Sequence, residues 1–147
     1  MNRAQCIILR GPQILMVRHQ MNGNNWWCLP GGGVEKGESP AEAVLRELEE
    51  ECNVEGTIIK QVGMYSDVTG VEFITYLVDI AAQDPHLGND PEFEMHRQIL
   101  KEIRWMTLAE IPERDRAYLW TAGLMNIPIF YDELTRWGDA LSYPLEK

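Results

Sequence analysis

Three glutamates in one helical turn, directly behind three consecutive glycines, are the feature that most constrains this chain. The stretch from residue 32 to residue 54 reads Gly-x5-Glu-x7-Arg-Glu-Leu-x-Glu-Glu-x-Asn-Val. Successive residues of an α-helix lie about 100° apart, so Glu47, Glu50 and Glu51 point into one wedge of its surface. Like charges at this spacing repel each other, at a cost on the order of a few tenths of a kcal/mol per pair. The pattern therefore indicates a bound cation, and carboxylate oxygens suit Mg²⁺ or Mn²⁺.

The residues around the glycines predict how this helix begins. The apolar run 26–29 is typical of a short buried strand, and the flexible glycine run 31–33 is predicted to follow it as a loop. Ser39 suits the N-cap, Pro40 the first helical position, and Glu42 completes a capping box. A helix that begins here carries an apolar face for the core and an adjoining acidic face.

Three other residues of the helix have predicted roles. Arg46 precedes Glu50 by four residues, a spacing at which the guanidinium pairs with the carboxylate and orients it. Glu49 points away from the acidic wedge and is assigned to solvent. Asn53 follows the last helical residue, where Asn is the usual substitute for Gly in a left-handed conformation.

The spacing of these residues resembles the Nudix box, the signature of hydrolases that cleave a nucleoside diphosphate linked to another group. Asn53 is the one departure inside the box, since the family pattern has glycine there. The resemblance implies an α/β fold, the Nudix α/β/α sandwich with a mixed β-sheet between helices. It implies a single domain over residues 1–147, with the box at 32–54. It also implies Mg²⁺-dependent hydrolysis of a phosphoanhydride, with Mn²⁺ as the substitute metal.

The resemblance further implies the roles of individual residues. The expected metal ligands are Glu47, Glu50, Glu51 and a backbone carbonyl of Gly31 or Gly32. Arg46 joins the three glutamates in the catalytic set as the residue that orients them. By residue type alone, and not from the resemblance, the expected substrate-binding residues are Gly32, Gly33, Trp27 and Arg18. Glu38 is expected to serve the hydrogen bonding of the loop and not the metal.

The general base stays open between a box glutamate and three later acids. Glu92 and Glu94 lie in a predicted loop at 84–94, and Glu102 lies within a predicted strand. Acidic loop residues are commonly solvated, which favours a surface role for the first two.

Three further residues carry weaker signals. Trp26 and Trp27 are adjacent in a strand, so one faces the core while the other is available to stack on a base. His19 ends a predicted strand and is expected at the surface or at an edge.

Composition predicts a soluble, cytoplasmic globular protein. Of the 147 residues 45% are hydrophobic and 24% charged, and no apolar stretch is long enough to span a membrane. Cysteines 6, 28 and 52 lie in apolar contexts, which predicts buried thiols in a reducing compartment. The net charge of −10 argues against a nucleic-acid polymer as partner. It is compatible with a small nucleotide whose phosphates face a bound metal.

The order of predicted elements supports one mixed sheet with helices on both faces. Strands are predicted at 3–10, 13–19, 26–29, 54–66, 71–82 and 100–106, a helix at 40–52, a helical turn at 108–111, and a helical tail from 114 with a break near Pro128. The tail is predicted to cap the sheet, with a homodimer surface as the alternative.

The sequence leaves two questions open: which substrate the protein uses, and whether it is an enzyme at all. Proline and tyrosine markers that distinguish ADP-ribose and dinucleoside polyphosphate enzymes within the family are absent at Thr69–Glu72. A nucleoside triphosphate or related nucleotide is favoured, and ADP-ribose or another nucleotide-sugar comes next. The competing hypotheses are a non-catalytic Nudix-like nucleotide sensor and a purely structural acidic helix. The retained acidic residues argue against the first, and the three glycines argue against the second.

Overall fold

A computed structural model describes residues 2–88, 99–130 and 132, with the backbone alone for Ile99 and Lys101. The strands in this part of the chain are β1 (Arg3–Ile7), β2 (Leu9–Arg10), β3 (Gln13–Met21), β4 (Asn24–Cys28), β5 (Gly31–Gly33), β6 (Thr57–Ser66), β7 (Glu72–Asp79) and β8 (Ile99–Met106). The helices are α1 (Pro40–Cys52) and α2 (Glu113–Ala122), and single 3₁₀ turns lie at Leu108–Glu110 and Leu124–Asn126.

The strands form two sheets. The first has the order β5-β1-β7-β6 and is mixed, because β1 and β7 run parallel while the other pairs are antiparallel. The second is antiparallel, with β3 between β4 and β8 and with β2 also paired to β3. The predicted mixed sheet is confirmed, and the antiparallel sheet is an addition that the linear order of strands does not reveal.

The two helices cover opposite faces of the strands. Val44 and Leu48 of α1 pack in a cluster with Leu15 of β3. Leu119 of α2 packs in a second cluster with Met16, the next residue of β3. Because adjacent strand residues point to opposite faces, the two clusters lie on either side of β3. This arrangement is the predicted α/β/α sandwich.

Helix α1 begins and ends as its sequence predicts. The hydroxyl oxygen of Ser39 accepts a hydrogen bond from the backbone N–H of Glu42 at 3.1 Å. The N–H of Ser39 donates in return to the carboxylate of Glu42 at 2.9 Å, which completes the capping box. At the other end Asn53 adopts the left-handed conformation, with φ 58° and ψ 37°. Local signals therefore fix both ends of the helix that carries the acids.

The glycine run is a strand, and the prediction of a flexible loop is wrong. Residues Gly31–Gly33 form β5, which pairs antiparallel with β1. A side chain at Gly31 would collide with the carbonyl oxygen of Ala4, and one at Gly32 would collide with the carboxylate of Glu47. The first two glycines are thus required for close packing against β1 and α1.

Helix α2 covers the outer edge of β4 with its side chains. The backbone N–H of Trp27 donates to the carboxylate of Asp115 at 2.9 Å, and that of Leu29 donates to the hydroxyl oxygen of Tyr118 at 2.8 Å. Arg114 donates to the carbonyl of Asn25 at 2.8 Å. Alternate residues along this edge thus obtain partners from a helix, which also protects the edge from pairing with another chain.

The remaining predicted elements differ mainly at their ends. Strand β4 begins two residues earlier than predicted, β6 begins three residues later, and β7 is shorter at both ends. In the described part of the predicted tail, residues up to Phe130 pack against the sheet as predicted, although α2 ends before Gly123 and not near Pro128. Residues beyond 132 lie outside the described residues. In the described ranges no helix is both long and apolar enough to cross a membrane.

Candidate active site

Residues of both sheets line a cavity of about 920 Å³. Strands β1, β5 and β7 line it from the first sheet, β3 and β4 line it from the second, and Glu47 of α1 also borders it. Its aromatic lining consists of Trp26, Trp27, Phe73 and Tyr118, and its cationic lining of Arg3, Lys36 and Arg114. A cavity with apolar walls, a few charges and this volume is typical of a small-molecule site.

Of the three glutamates Glu47, Glu50 and Glu51, Glu47 borders the cavity. It is 7% exposed, and its carboxylate lies against the backbone of Gly32. Glu50, one turn further along α1, is exposed, and Glu49 points to solvent as predicted. The helix therefore presents one buried carboxylate to the cavity and a second at the surface beside it.

Glu51 is turned toward β5. It is 1% exposed, and its carboxylate accepts a hydrogen bond from the N–H of Gly31 at 3.0 Å.

Burial raises the pKa of the Cys6 and Cys28 thiols, and the negative charge of Glu51 raises it further. Cys6, Cys28 and Cys52 are free thiols; Cys6 and Cys52 are buried as predicted, whereas Cys28 is half-buried, so the prediction is wrong for that residue.

Arg46 links the acidic turn to the segment after β5. Its Nε donates to Glu38 at 2.7 Å, and its Nη2 donates to the carbonyl of Gly33 at 3.0 Å. Its Nη1 donates to the carboxylates of Glu47 and Glu50, each at 3.2 Å. One guanidinium therefore holds two acids of the turn in fixed positions, and the hydrogen bond to Glu38 raises the pKa of Arg46.

Glu38 belongs to this hydrogen-bond network, as predicted. Its carboxylate accepts from Arg46 and, at 2.9 Å, from the backbone N–H of Glu35. The hydrogen bond from Arg46 is the main cause that lowers the pKa of Glu38.

The acids suit a divalent cation by their chemistry, although they do not converge. Across residues 2–88, 99–130 and 132, no three Asp, Glu, His or Cys side chains lie close enough together to hold a metal ion. Glu47 and Glu51 are nevertheless buried carboxylates one turn apart, and Glu47 borders an open cavity. Hard oxygen ligands in such a place favour Mg²⁺ or Mn²⁺.

His19 is buried, so the prediction of a surface or edge position is wrong. Strand β3 lies between β4 and β8, which makes His19 part of an inner strand. Its ring stacks on Trp26 with centroids 5.7 Å apart and planes 13° apart, and both residues line the cavity. Burial, and then the charge of Arg3, lowers the pKa of His19 to about 4, so the imidazole is neutral at pH 7.

Of the predicted substrate-binding side chains, Trp27 reaches the cavity and Arg18 does not line it. Arg18 donates to Glu102 at 3.1 Å and to Asn25 at 2.8 Å. The Trp27 ring is 9% exposed, and the guanidinium carbons of Arg104 and Arg18 lie 5.3 and 6.0 Å from its centroid. Gly32 and Gly33, the predicted backbone contacts, also line the cavity.

The later candidates for the general base have different outcomes. Glu102 pairs with Arg104 at 2.7 Å and with Arg18, and these hydrogen bonds, that of Arg104 first, lower the pKa of Glu102. Glu102 is absent from the cavity lining in the described part of the chain. Glu92 and Glu94 lie outside the described residues.

The sequence matches the NUDIX domain model over residues 1–125. The chain belongs to the NUDIX family. It is 30% identical over 92 residues to the RNA pyrophosphohydrolase of Brucella ovis, an alignment that covers 62% of this chain and 51% of that protein. It is 34% identical over 88 residues to a nucleoside triphosphate pyrophosphatase/Nudix hydrolase fusion protein of Bifidobacterium longum, which covers 60% of this chain and 17% of the fusion. The matched part thus spans about half the length of the Brucella relative.

Solved structures show the same NUDIX fold. A UDP-X diphosphatase superposes with a TM-score of 0.67 at 17% identity, over 91% of this chain and 64% of that one. The Ap4A hydrolase of C. elegans superposes with a TM-score of 0.64 at 19% identity, over 91% of this chain and 98% of that one. At these identities the likeness concerns the fold alone.

Several residues of this NUDIX cavity were missed by sequence reasoning. Arg3 lies at the start of β1, Phe73 in β7 and Arg114 in α2, and only the topology brings them together. No local spacing could have marked them. Asp115 could have been recognised in part. An acid in the first turn after Pro112 indicates the start of a helix, but it does not indicate which group the carboxylate binds.

Proposed function

We propose that this NUDIX protein hydrolyses a phosphoanhydride in a nucleotide, namely a nucleoside diphosphate linked to another group, with Mg²⁺ as the cofactor. The observation that carries the proposal is the position of Glu47. Its buried carboxylate borders a cavity of about 920 Å³ and shares one nitrogen of Arg46 with Glu50. A buried acid at the wall of a nucleotide-sized cavity favours metal-dependent phosphoryl chemistry over a merely solvated acidic helix.

The metal would be held by Glu47, Glu50, Glu51 and a carbonyl of Gly31 or Gly32. When bound, it supplies positive charge that stabilises the leaving oxygen and lowers the pKa of a water molecule. Arg46 keeps two of these carboxylates in place with Nη1 while its Nε and Nη2 donate to Glu38 and Gly33, and Lys could not make this set of contacts from its single nitrogen. The absence of a side chain at Gly32 leaves room for the Glu47 carboxylate.

The remaining roles follow from which residues line the cavity. Arg3 and Lys36 would place positive charge near the phosphates, and Trp26 and Phe73 offer aromatic surfaces for a base. We propose a box glutamate as the general base. Glu47 is favoured because it reaches the cavity, whereas Glu102 is held by two arginines.

We propose a nucleoside triphosphate or a related nucleotide as substrate, with ADP-ribose or another nucleotide-sugar next. The net charge of −10 disfavours a nucleic-acid polymer. The proteins compared above carry names that refer to RNA, UDP-X and Ap4A, which differ in the group attached to the phosphates. They therefore support the reaction class more than a particular substrate. A cytoplasmic location, suggested by three free cysteines, and a homodimer stay predictions.

The first test is a substrate panel with Mg²⁺ and then Mn²⁺. The panel contains dNTPs, NTPs, ADP-ribose, nucleotide-sugars, dinucleoside polyphosphates and a 5′-triphosphorylated RNA oligonucleotide, and product release is measured for each. We expect turnover of a mononucleotide, abolished by EDTA and restored by added metal. Nucleotide binding that raises the melting temperature without product at any metal concentration would instead establish a sensor. Preference for the RNA would overturn the proposed substrate class while leaving the reaction intact.

A further inference from the structure

Residues 86–88 lie across the C-terminal end of α1. The N–H of His86 donates to the carbonyl of Cys52 at 2.8 Å, and the N–H of Gly88 donates to the carbonyl of Glu51 at 2.7 Å. The last carbonyls of a helix have no partners within the helix itself. The segment 86–88 therefore supplies two of these partners from its own backbone.

Asn53 binds the same segment with its side chain. Its Nδ2 donates to the carbonyl of His86 at 3.1 Å, while its backbone N–H donates to the carbonyl of Glu49 at 3.0 Å. A glycine would adopt the left-handed conformation equally well, but it has no amide to reach His86. Asn53, which replaces the glycine of the family pattern, thus makes a hydrogen bond between helix and segment that glycine could not make.

Gly88 allows the segment to approach the helix closely. A Cβ at this position would collide with the carbonyl oxygen of Glu50. Its φ lies outside the left-handed region, so the demand for glycine here comes from space and not from backbone conformation. Any larger residue must push the segment away from the turn that contains Glu50 and Glu51.

We propose that Asn53 and Gly88 are positioning residues for the metal site, an inference that rests on the proposed function. Helix ends tend to fray, and the last turn of α1 carries two of the three proposed carboxylate ligands. Hydrogen bonds to the carbonyls of Glu49, Glu51 and Cys52 fix the backbone of this turn, and so the directions in which its side chains leave the backbone. The clamp, made of Asn53 and residues 86–88, holds Glu50 and Glu51 ready for the ion and reduces the entropy lost on binding.

The experiment measures Mn²⁺ binding to nucleotide-free protein by electron paramagnetic resonance. We expect Gly88→Ala to weaken binding about tenfold, the lower end of the range for groups that support metal ligands. Asn53→Gly, which keeps the backbone conformation and loses two exposed hydrogen bonds, to the carbonyls of His86 and Leu87, should weaken it about threefold. If Gly88→Ala does not fold, Asn53→Gly still decides the question.

Two control variants separate positioning from general destabilisation. Gly56→Ala adds a methyl group that crowds Leu48 and Val78 on the apolar side of α1, so it lowers stability away from the clamp. Asn22→Gly removes an asparagine of similar conformation, φ 53°, from the turn between β3 and β4. Both controls should bind Mn²⁺ as the wild type does.

The outcomes distinguish this inference from the proposed function. Wild-type affinity in both clamp variants, or equal weakening in Gly56→Ala, overturns the inference. If Glu51→Gln still abolishes Mn²⁺ binding in that case, the metal site stands without the clamp. If the wild-type protein binds no Mn²⁺, both the metal site and its positioning are refuted.

Discussion

At the scale of single residues, the three box glutamates occupy different surroundings. Glu47 is buried beside the cavity, Glu51 is buried against the N–H of Gly31, and Glu50 is exposed and touches Arg46. Substitutions at the three positions should therefore differ in their structural cost. Loss of Glu51 leaves the partly buried N–H of Gly31 without this acceptor, whereas loss of Glu50 removes one contact at the surface.

Glu47→Gln tests the central acid with little change in shape. We expect kcat to fall by about a hundredfold or more, because the amide can neither accept a proton from water nor offer two anionic oxygens to the ion. Steady-state kinetics with Mg²⁺ measure the effect. Glu49→Gln, a neighbouring solvent-facing acid of α1, is the matched control and should keep full activity. Equal kcat in both variants would remove Glu47 from the mechanism.

Because the pKa of His19 is lowered in the folded protein, we expect the free energy of unfolding to depend on pH. Its pKa in the folded protein is about 4, below its ordinary value of 6.5, so the unfolded chain binds the proton more tightly. The stabilisation is complete above pH 6.5 and is lost as the pH falls toward 4, by on the order of 3 kcal/mol. Urea unfolding of wild type and His19→Gln at several pH values measures this, since the variant should show a shallower loss. The exposed His86, replaced by Gln, serves as control. Parallel curves for wild type and His19→Gln would contradict the prediction.

At the scale of elements, α2 and β4 depend on each other. The carboxylate of Asp115 is 5% exposed and accepts both the N–H of Trp27 and a hydrogen bond from Arg114. Tyr118, one turn later, accepts the N–H of Leu29. Because these contacts join one wall of the cavity to the helix, the packing of α2 affects both the shape of the cavity and the stability of the protein.

Asp115→Ala should lower the free energy of unfolding by about 2 kcal/mol, because a buried backbone N–H loses its acceptor. Chemical denaturation measures the difference. Glu113→Ala, which removes an exposed acid from the same first turn, should change stability by less than about 0.5 kcal/mol. A loss of the same size in both variants would show that the helix dipole, and not the contact with Trp27, is responsible.

The accuracy of the sequence predictions followed the range of the interactions. Helix α1 was placed correctly because Ser39, Glu42 and Asn53 act on groups within a few residues. The glycine run was wrongly taken for a loop because its partner, β1, lies far away in sequence. His19 was wrongly placed at the surface for a similar reason, since only the pairing with β8 makes β3 an inner strand.

At the scale of the whole molecule, the sequence predicted the reaction class better than the pocket. The box glutamates lie close together on one helix, so their spacing in the sequence is enough to predict the type of reaction. The cavity lining comes from both sheets and both helices, and it includes Arg3, Phe73 and Arg114, whose positions no short motif encodes. Prediction of a substrate from sequence fails for that reason.

Because both sheets line the cavity, a ligand bound there should contact both and stabilise the whole fold. With Glu47→Gln to suppress turnover, nucleotide at about 100 times its Kd should add about 2.7 kcal/mol to the free energy of unfolding. Thermal unfolding with and without nucleotide measures the gain, and inorganic phosphate serves as the control ligand. No shift with any member of the substrate panel would contradict a nucleotide site between the sheets.

Trp26, which stacks on His19 at the cavity, also allows ligand binding to be followed by fluorescence. Trp26 and Trp27 both border the cavity, and the imidazole beside Trp26 is neutral at pH 7. A base that stacks on either indole changes its emission, so occupancy can be followed in unlabelled protein by intrinsic fluorescence. Replacing Trp26 and Trp27 with Phe one at a time would assign the signal, and the protein would then report its own ligand in a titration.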